Sequence, residues 1–294
     1  MAIFKGAGVA LVTPFHEDES VNYDALEALI EMQIEGQTDA IIVCGTTGEP
    51  STMTEEERES VIRFVIEKVK KRVPVIAGTG CNNTGNTIKM SKKAEELGAD
   101  GLLVVTPYYN KATQEGLFLH YKAIADEVNI PIIMYNVPSR TGCNILPETA
   151  VRIAGECKNV VAIKEAGGNI SQVATLALMG KGILDIYSGN DDEVIPILSL
   201  GGIGVISVLS NIAPKDTHDM VMEYLEGDRE KALDIQLQYL EVIHALFCEV
   251  NPIPVKAALN LMGKNAGTLR LPLTEMGEKS KVVLKEKMKE AGLI

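Results

Sequence analysis

The sequence predicts a (β/α)8 barrel, the TIM-barrel architecture, followed by a C-terminal helical appendage. Eight short apolar runs alternate with amphipathic stretches, and eight β-then-α units of this size point to a closed barrel. An open doubly wound sheet is the alternative, but it normally has fewer strands, and no G-x-G-x-x-G pattern follows the first run. The eight runs cover residues 8–12, 40–44, 73–77, 101–105, 131–135, 160–163, 184–187 and 203–207.

Helical patterns separate these runs. The first, over residues 24–34, places apolar side chains on one face. The second, over residues 54–69, opens with Thr54 and Glu57 at the spacing of a capping box. Both patterns therefore predict amphipathic helices that cover the outside of the barrel.

The alternation stops after about Gly227. Three helical patterns follow with no strand between them, over residues 229–247, 254–262 and 275–291. We therefore predict a barrel over residues 1–227 and an α-helical domain over residues 228–294. No Pro-, Gly- or Ser-rich linker separates the two, so we expect the appendage to pack on the barrel and not to move independently.

Composition excludes several classes of protein. The net charge of −12 has the wrong sign for a nucleic-acid binder. No apolar run reaches the roughly 18 residues that a membrane span needs, and the N-terminus does not resemble a signal peptide, so we expect a cytoplasmic protein. The five cysteines are scattered without a C-x-x-C pair, and the four histidines form no zinc motif, which argues against a metal site.

Lys164 is the first candidate for chemistry. Four apolar residues, 160–163, lead directly into it, a pattern typical of a buried parallel strand that ends in an amine. Burial lowers the pKa of a lysine and produces a nucleophile that can form a Schiff base with a carbonyl. The alternative is an ordinary solvated lysine, which is the common case.

Polar side chains at the other strand ends favour the catalytic interpretation. Active sites of such barrels lie at the carboxyl ends of the strands. Thr46 and Thr47 follow the second strand in a glycine turn that suits a carboxylate, although an ordinary turn is the alternative. The remaining candidates, which singly could be packing or surface residues, are Tyr109 after strand 4, Tyr135 and Arg140 at strand 5, Gly189 after strand 7 and Ile206 in strand 8.

Together these groups indicate one kind of chemistry. An amine, phenols, a carboxylate-binding turn and a guanidinium fit a keto acid that condenses through an enamine with a second carbonyl. This chemistry needs neither a metal nor an organic cofactor.

Five segments resemble the 4-hydroxy-tetrahydrodipicolinate synthase (dihydrodipicolinate synthase) family, in the pyruvate-dependent class I aldolase superfamily. The resemblance runs from about Gly6 to the C-terminus, including residues 251–256. It implies condensation of pyruvate with L-aspartate 4-semialdehyde, the first committed step of diaminopimelate and lysine biosynthesis. The segments are residues 45–49, 106–110, 135–142, 163–166 and 204–207.

The resemblance also implies a role for each residue. Lys164 forms the Schiff base with pyruvate, and Tyr135, Thr46 and Tyr109 form a proton relay. Tyr109 comes from a neighbouring subunit, in a homotetramer that is a dimer of dimers. The substrate-binding residues are Thr47 and Ile206 at pyruvate, Arg140 at the carboxylate of the semialdehyde, and Gly189.

One departure from the family pattern concerns feedback inhibition by lysine. Many members bind lysine at a subunit interface through a histidine and a glutamate. The matching positions here hold Glu55, Arg58 and Asn86, whereas Asn82 and Tyr108 are retained. An added positive charge and a lost carboxylate predict a weak or absent response to lysine.

Two alternative functions stay open. N-acetylneuraminate lyases and 2-keto-3-deoxy sugar-acid aldolases share the lysine, the strand-5 tyrosine and the glycine turn. Arg140 and the Tyr108–Tyr109 pair favour the synthase, because a polyhydroxylated substrate has less use for a guanidinium. A non-catalytic barrel used as a scaffold is less favoured, because it has no reason to keep a buried amine beside phenols.

Overall fold

Eight parallel strands close into a barrel in the computed structural model, which describes residues 2–294. Each strand pairs with the next, and β8 returns to β1, so the predicted (β/α)8 fold is confirmed. The strands are β1 Gly6–Ala10, β2 Ala40–Val43, β3 Val75–Gly78, β4 Gly101–Val105, β5 Ile132–Asn136, β6 Val160–Glu165, β7 Asp185–Ser188 and β8 Gly204–Ser207.

Helices alternate with these strands and then continue alone. In the barrel they are α1 Tyr23–Glu35, α2 Glu55–Val69, α3 Thr84–Leu97, α4 Gln114–Ala125, α5 Pro138–Thr141, α6 Pro147–Glu156, α7 Ile170–Met179, α8 Val194–Ser199 and α9 Pro214–Glu226. The last three are α10 Arg229–Leu246, α11 Ile253–Leu261 and α12 Glu278–Glu290.

Two prolines explain where the predicted strands begin too early. Pro74 and Pro131 lack the N–H that a sheet ladder requires, so β3 and β5 each start at the residue after the proline, two residues later than predicted for β3 and one for β5. Their carbonyl groups still accept hydrogen bonds from the neighbouring strands, at 2.9 Å from the Ile41 N–H and 2.8 Å from the Leu102 N–H. Each proline therefore precedes its strand but still takes part in the hydrogen bonding of the barrel.

The predicted capping box at the start of α2 is present. The Glu57 N–H donates to Thr54 Oγ1 at 3.1 Å, and the Thr54 N–H donates to Glu57 Oε2 at 2.9 Å. These bonds satisfy two donors that a helix start otherwise leaves unpaired. They also fix the end of the loop that runs from β2 to α2.

Apolar side chains form two layers around the sheet. Those that point inward fill the barrel, with Ile42, Ile76, Leu103, Ile133 and Tyr135 among them. Those that point outward pack under the helices, and this outer layer continues into α11 and α12. The shared layer means that the appendage is packed on the barrel through one continuous core.

The helix α9 ends at Gly227, whose φ of 109° is in the region that favours glycine, and α10 begins two residues later. The helix α10 packs on α9 and α12. A functional division between residues 227 and 228 stays a prediction. Within residues 2–294, no helix combines the length and apolar character needed to cross a bilayer.

Candidate active site

Lys164 lies in β6, directly beside a tyrosine of the neighbouring strand. Its register partners are Tyr135 in β5 and Tyr187 in β7. Paired residues of neighbouring strands project to the same face, so the pairing brings the amine against the Tyr135 ring. Lys164 Nζ lies 4.4 Å from the centroid of that ring, and the residue is 5% exposed. The prediction of a buried amine at the end of this strand therefore holds.

The surroundings of Lys164 favour its neutral form. Burial lowers the pKa of Lys164 to about 8, because an apolar environment disfavours the charged ammonium. The Arg140 guanidinium lowers this pKa further, whereas the Asp191 carboxylate opposes the change. About a tenth of the amine is therefore unprotonated, and nucleophilic, at pH 7, far more than for an exposed lysine.

Tyr135 is placed to exchange protons beside that amine. Its side chain is buried, and burial raises the pKa of the phenol, an effect that Arg140 and the Thr46 hydroxyl partly offset. The phenol therefore carries its proton at neutral pH. A protonated phenol next to an amine can donate to a departing hydroxyl and accept the proton back later.

The turn after β2 supplies hydroxyl and amide donors. Residues Thr46–Gly48 form one turn of 3-10 helix, and the N–H groups of Gly48 and Glu49 close it by donating to Gly45 and Thr46 carbonyls. The Thr46 hydroxyl is hydrogen-bonded to Tyr135, and the Thr47 hydroxyl accepts from the Asn251 side-chain amide at 3.0 Å, so its own proton can still be donated. The N–H groups of Gly48 and Glu49 are used within the turn, so they are not donors for a ligand.

Arg140 lies in α5, the short helix after β5, and its side chain is exposed. It lines a cavity of about 280 Å³ together with Thr46, Tyr108 and Tyr135. Arg58 of α2 lines the same cavity. Two arginines and Tyr135 are therefore among the residues around one cavity.

Gly189 and Ile206 are not among the residues that line this cavity, and neither is Lys164. Gly189 follows β7, and a Cβ at this position would lie 3.0 Å from Lys164 Cε and 2.6 Å from Ala166 Cβ. The glycine therefore leaves space that the reactive lysine occupies. Ile206 lies in β8 and is fully buried in the barrel interior, at the same end as Lys164.

Tyr109 is not brought to the cavity of its own chain. It follows β4 at the correct end of the barrel, but its side chain is 91% exposed and its φ is 70°. Tyr108, not Tyr109, lines the cavity. A strained backbone that presents a tyrosine to solvent suggests a partner surface, and its donation to a neighbouring subunit stays a prediction.

Sequence reasoning missed several buried polar residues around the site. Asp191 is 1% exposed, and its Oδ2 accepts from the N–H groups of Val208 and Leu209 at 3.0 and 2.9 Å. The side-chain amide of Asn251 donates to Thr47 Oγ1 at 3.0 Å. Asp191 could have been predicted as a site residue, because a carboxylate two positions after Gly189 lies at the end of the seventh strand. Asn251 could not, because nothing in the local sequence links residue 251 to residue 47.

Comparison with known proteins agrees with this geometry. The model of the dihydrodipicolinate synthetase family matches residues 3–291. The 4-hydroxy-tetrahydrodipicolinate synthase of Lachnoclostridium phytofermentans is 61% identical over 294 residues, which cover 100% of both chains.

Solved structures give the same result. The dihydrodipicolinate synthase from Thermotoga maritima superposes with a TM-score of 0.97 at 48% identity, over 100% of both chains. The enzyme from Cyanidioschyzon merolae, solved with lysine bound, gives a TM-score of 0.97 at 41% identity, again over 100% of both chains. The resemblance first seen in the sequence motifs is confirmed, and the chain belongs to the dihydrodipicolinate synthetase family.

Proposed function

We propose that this chain is a 4-hydroxy-tetrahydrodipicolinate synthase, a lyase that condenses pyruvate with L-aspartate 4-semialdehyde. The observation that carries the proposal is the buried Lys164 amine, with a pKa near 8, held 4.4 Å from the Tyr135 ring. Its relatives carry the same enzyme name over their full length.

In the first half of the reaction, the neutral Lys164 amine attacks the ketone carbon of pyruvate. Tyr135 donates a proton to the hydroxyl of the resulting carbinolamine, which leaves as water and gives an iminium ion. Thr47 and the backbone at Ile206 hold the pyruvate, with the Thr47 hydroxyl and amide at its carboxylate. Loss of a proton from the pyruvate methyl group then converts the iminium ion into an enamine.

In the second half, the enamine carbon attacks the aldehyde of the semialdehyde and forms the new carbon–carbon bond. Arg140 supplies a guanidinium for the carboxylate of this substrate, because it lines the cavity beside Tyr135. Gly189 lies at the same rim and leaves space beside Lys164. The semialdehyde amine finally displaces Lys164 as the product ring closes, so the lysine returns to its starting state.

The proton relay needs a third hydroxyl beyond Tyr135 and Thr46. We assign it to Tyr109 of a neighbouring subunit in a homotetramer, a dimer of dimers. The 91% exposure of this side chain and its left-handed backbone support an arrangement in which Tyr109 completes a neighbour's site. A Tyr109→Phe subunit mixed with a Lys164→Met subunit tests this: only hybrid dimers could contain one complete site.

We further propose that the enzyme responds weakly or not at all to lysine. Arg58 places a positive charge on the cavity and donates to the Gly78 carbonyl at 3.1 Å. Glu55 is already paired with Lys89, and Asn86 offers no carboxylate for an ammonium group. Strong, saturable inhibition at sub-millimolar lysine would contradict this proposal, and the variant Arg58→His/Asn86→Glu is expected to gain sensitivity.

The central experiment is trapping of the Schiff base. Pyruvate with borohydride should reduce the iminium ion to a stable adduct, which peptide mass mapping should place on Lys164. Lys256, a second buried lysine, is the internal control and should stay unmodified. No adduct on Lys164 would overturn the mechanism. An adduct followed by turnover of N-acetylneuraminate, but not of aspartate semialdehyde, would reassign the enzyme to the sugar-acid aldolases.

A further inference from the structure

A buried ion pair joins the C-terminal helices to the pyruvate-binding turn. Lys256 of α11 donates to Glu49 Oε1 at 2.8 Å, and the side chains are 1% and 0% exposed. Lys256 also donates to the carbonyl groups of Thr13, at 3.0 Å, and Thr268. All three donor positions of the ammonium are thus used, which is the arrangement that a buried charge requires.

Glu49 is the residue that ends the turn carrying Thr46 and Thr47. Its backbone is left-handed, with φ 54° and ψ 40°, a conformation that costs a non-glycine residue free energy. Such a conformation persists only when its surroundings hold it in place. The contacts that hold Glu49 come from the appendage: Lys256 on one carboxylate oxygen, and the Arg270 N–H on the other at 3.3 Å.

A second contact from the appendage reaches the turn itself. The Asn251 amide group donates to Thr47 Oγ1 at 3.0 Å and orients the hydroxyl that is assigned to the pyruvate carboxylate. The Arg270 guanidinium donates to the Thr52 carbonyl at 3.0 Å and pairs with Glu57 at the start of α2. The segment from the turn to α2 is therefore anchored at several points by residues that lie more than 190 positions later in the chain.

We infer that Lys256 is a positioning residue for pyruvate, which acts through its buried ion pair with Glu49 to fix the Thr46–Thr47 turn against Lys164 and Tyr135. The inference rests on the proposed function. It gives the C-terminal helices a role in substrate binding, although the residues assigned to the chemistry itself all lie in the barrel. Arg140, which is assigned to the second substrate, lies in α5, and its guanidinium donates to the Asn251 carbonyl at 3.5 Å and not to the Lys256–Glu49 pair. Loss of the pair should therefore affect pyruvate more than the semialdehyde.

Three variants separate positioning from simple stabilisation. Glu49→Gln keeps the shape and an acceptor oxygen but removes the negative charge. Lys256→Met removes the ammonium and leaves Glu49 unpaired. The double variant Glu49→Gln/Lys256→Met leaves no unpaired charge, so its stability should recover towards that of the parent protein. Lys71→Met is the matched control, because it removes a lysine paired with Asp100 at the opposite end of the barrel.

The readout is the KM for each substrate beside kcat. A displaced turn should raise the KM for pyruvate about tenfold, since a misplacement of about 1 Å can already cost about a hundredfold. The KM for the semialdehyde should change much less. The double variant should keep the raised KM for pyruvate although its fold is restored, and Lys71→Met should leave both constants unchanged.

A merely structural role predicts a different pattern. It lowers the fraction of folded enzyme and therefore kcat, while both KM values stay at the parent level. Unchanged KM for pyruvate in Glu49→Gln and in the double variant would overturn the inference, as would an equal rise for both substrates. If Lys256→Met does not fold, the other two variants still decide the matter.

Failure of the positioning role and failure of the proposed function give different results. If the parent protein forms no borohydride-stable adduct with pyruvate, the proposed function itself is wrong. If the parent protein forms the adduct and turns over both substrates, but the variants bind pyruvate normally, only the positioning role is wrong.

Discussion

Two lysines of this protein are almost completely buried, and they differ in what surrounds the ammonium group. Lys164 is 5% exposed and Lys256 is 1% exposed, and burial lowers the pKa of both. Lys256 meets the Glu49 carboxylate and two carbonyl groups, whereas the charges that act on Lys164 are Asp191 and the opposing Arg140. Burial is the main cause of the lowered pKa of Lys164.

The difference shows that burial alone does not identify a reactive amine. A fully paired ammonium is held as a charge and serves as a fixed structural link. An ammonium without such partners loses its proton at a lower pH than an exposed lysine does and then becomes a nucleophile. The same substitution at each lysine should therefore have opposite effects on stability.

The largest effect is expected for Lys256→Met. It leaves Glu49 buried without its partner and removes the donor to the Thr13 carbonyl, so we expect a loss of about 3–5 kcal/mol in the free energy of unfolding. Urea unfolding at a fixed protein concentration measures this loss, since association of subunits would otherwise shift the midpoint. A loss as small as that of an exposed ion pair would mean that Glu49 is protonated or finds another partner.

The contrast between the two lysines also shows what the sequence could reveal. Lys164 was predictable because its environment is local: residues 160–163 already indicate the buried strand that carries it. The environment of Lys256 is not local, because Glu49 lies 207 positions earlier in the chain. Pairing over that distance depends on how the appendage packs on the barrel, and no periodicity or spacing encodes this.

The same reasoning applies to the rest of the site. Thr46, Tyr135 and Arg140 follow strand ends, so the barrel rule alone places them at one rim. Tyr109 also follows a strand end, yet its side chain is exposed to solvent and does not line the cavity of its own chain. Its left-handed backbone, with φ 70°, is a local conformation that the barrel rule does not predict. Asn251 obeys no such rule and was found only in the structure.

Lys164→Met should change the free energy of unfolding in the opposite direction from Lys256→Met. Folding moves the pKa of Lys164 from its ordinary value of 10.5 to about 8, so the unfolded chain binds more protons between these values. The lysine therefore opposes folding fully below pH 8, and its cost fades as pH rises towards 10.5. We expect Lys164→Met to raise the free energy of unfolding by about 1–3 kcal/mol at pH 7, although the enzyme is inactive. A loss of stability at pH 7 would show that Lys164 has a partner comparable to Glu49.

The pH dependence of Schiff-base trapping tests the same pKa through reactivity. Only the neutral amine attacks pyruvate, so trapping at limiting pyruvate should accelerate as pH rises through about 8 and then level off. From pH 7 to the plateau the gain should be about tenfold, because one pKa unit corresponds to a tenfold change in the neutral fraction. A midpoint near the ordinary 10.5 would show that Lys164 is solvated in the working enzyme. The trapping rate is measured again after samples at high pH are returned to pH 7, so that irreversible unfolding is recognised.

The smallest effect on the free energy of unfolding is expected for Lys71→Met. This exposed ion pair is the reference against which the variants of the two buried lysines are compared. Lys71 pairs with Asp100 at 2.7 Å, but its side chain is 64% exposed and that of Asp100 is 29% exposed. Water screens this pair, so Lys71→Met should cost only about 0–1 kcal/mol in urea unfolding. The distances of the Lys71 and Lys256 ion pairs are nearly equal, at 2.7 and 2.8 Å, so a difference between the two variants does not come from the length of the pair. It reports burial together with the bonds of Lys256 to the Thr13 and Thr268 carbonyls. If Lys71→Met cost as much as Lys256→Met, the stability of the protein would depend on ion pairing wherever it occurs, and the distinction between a buried link and a buried nucleophile would lose its physical basis.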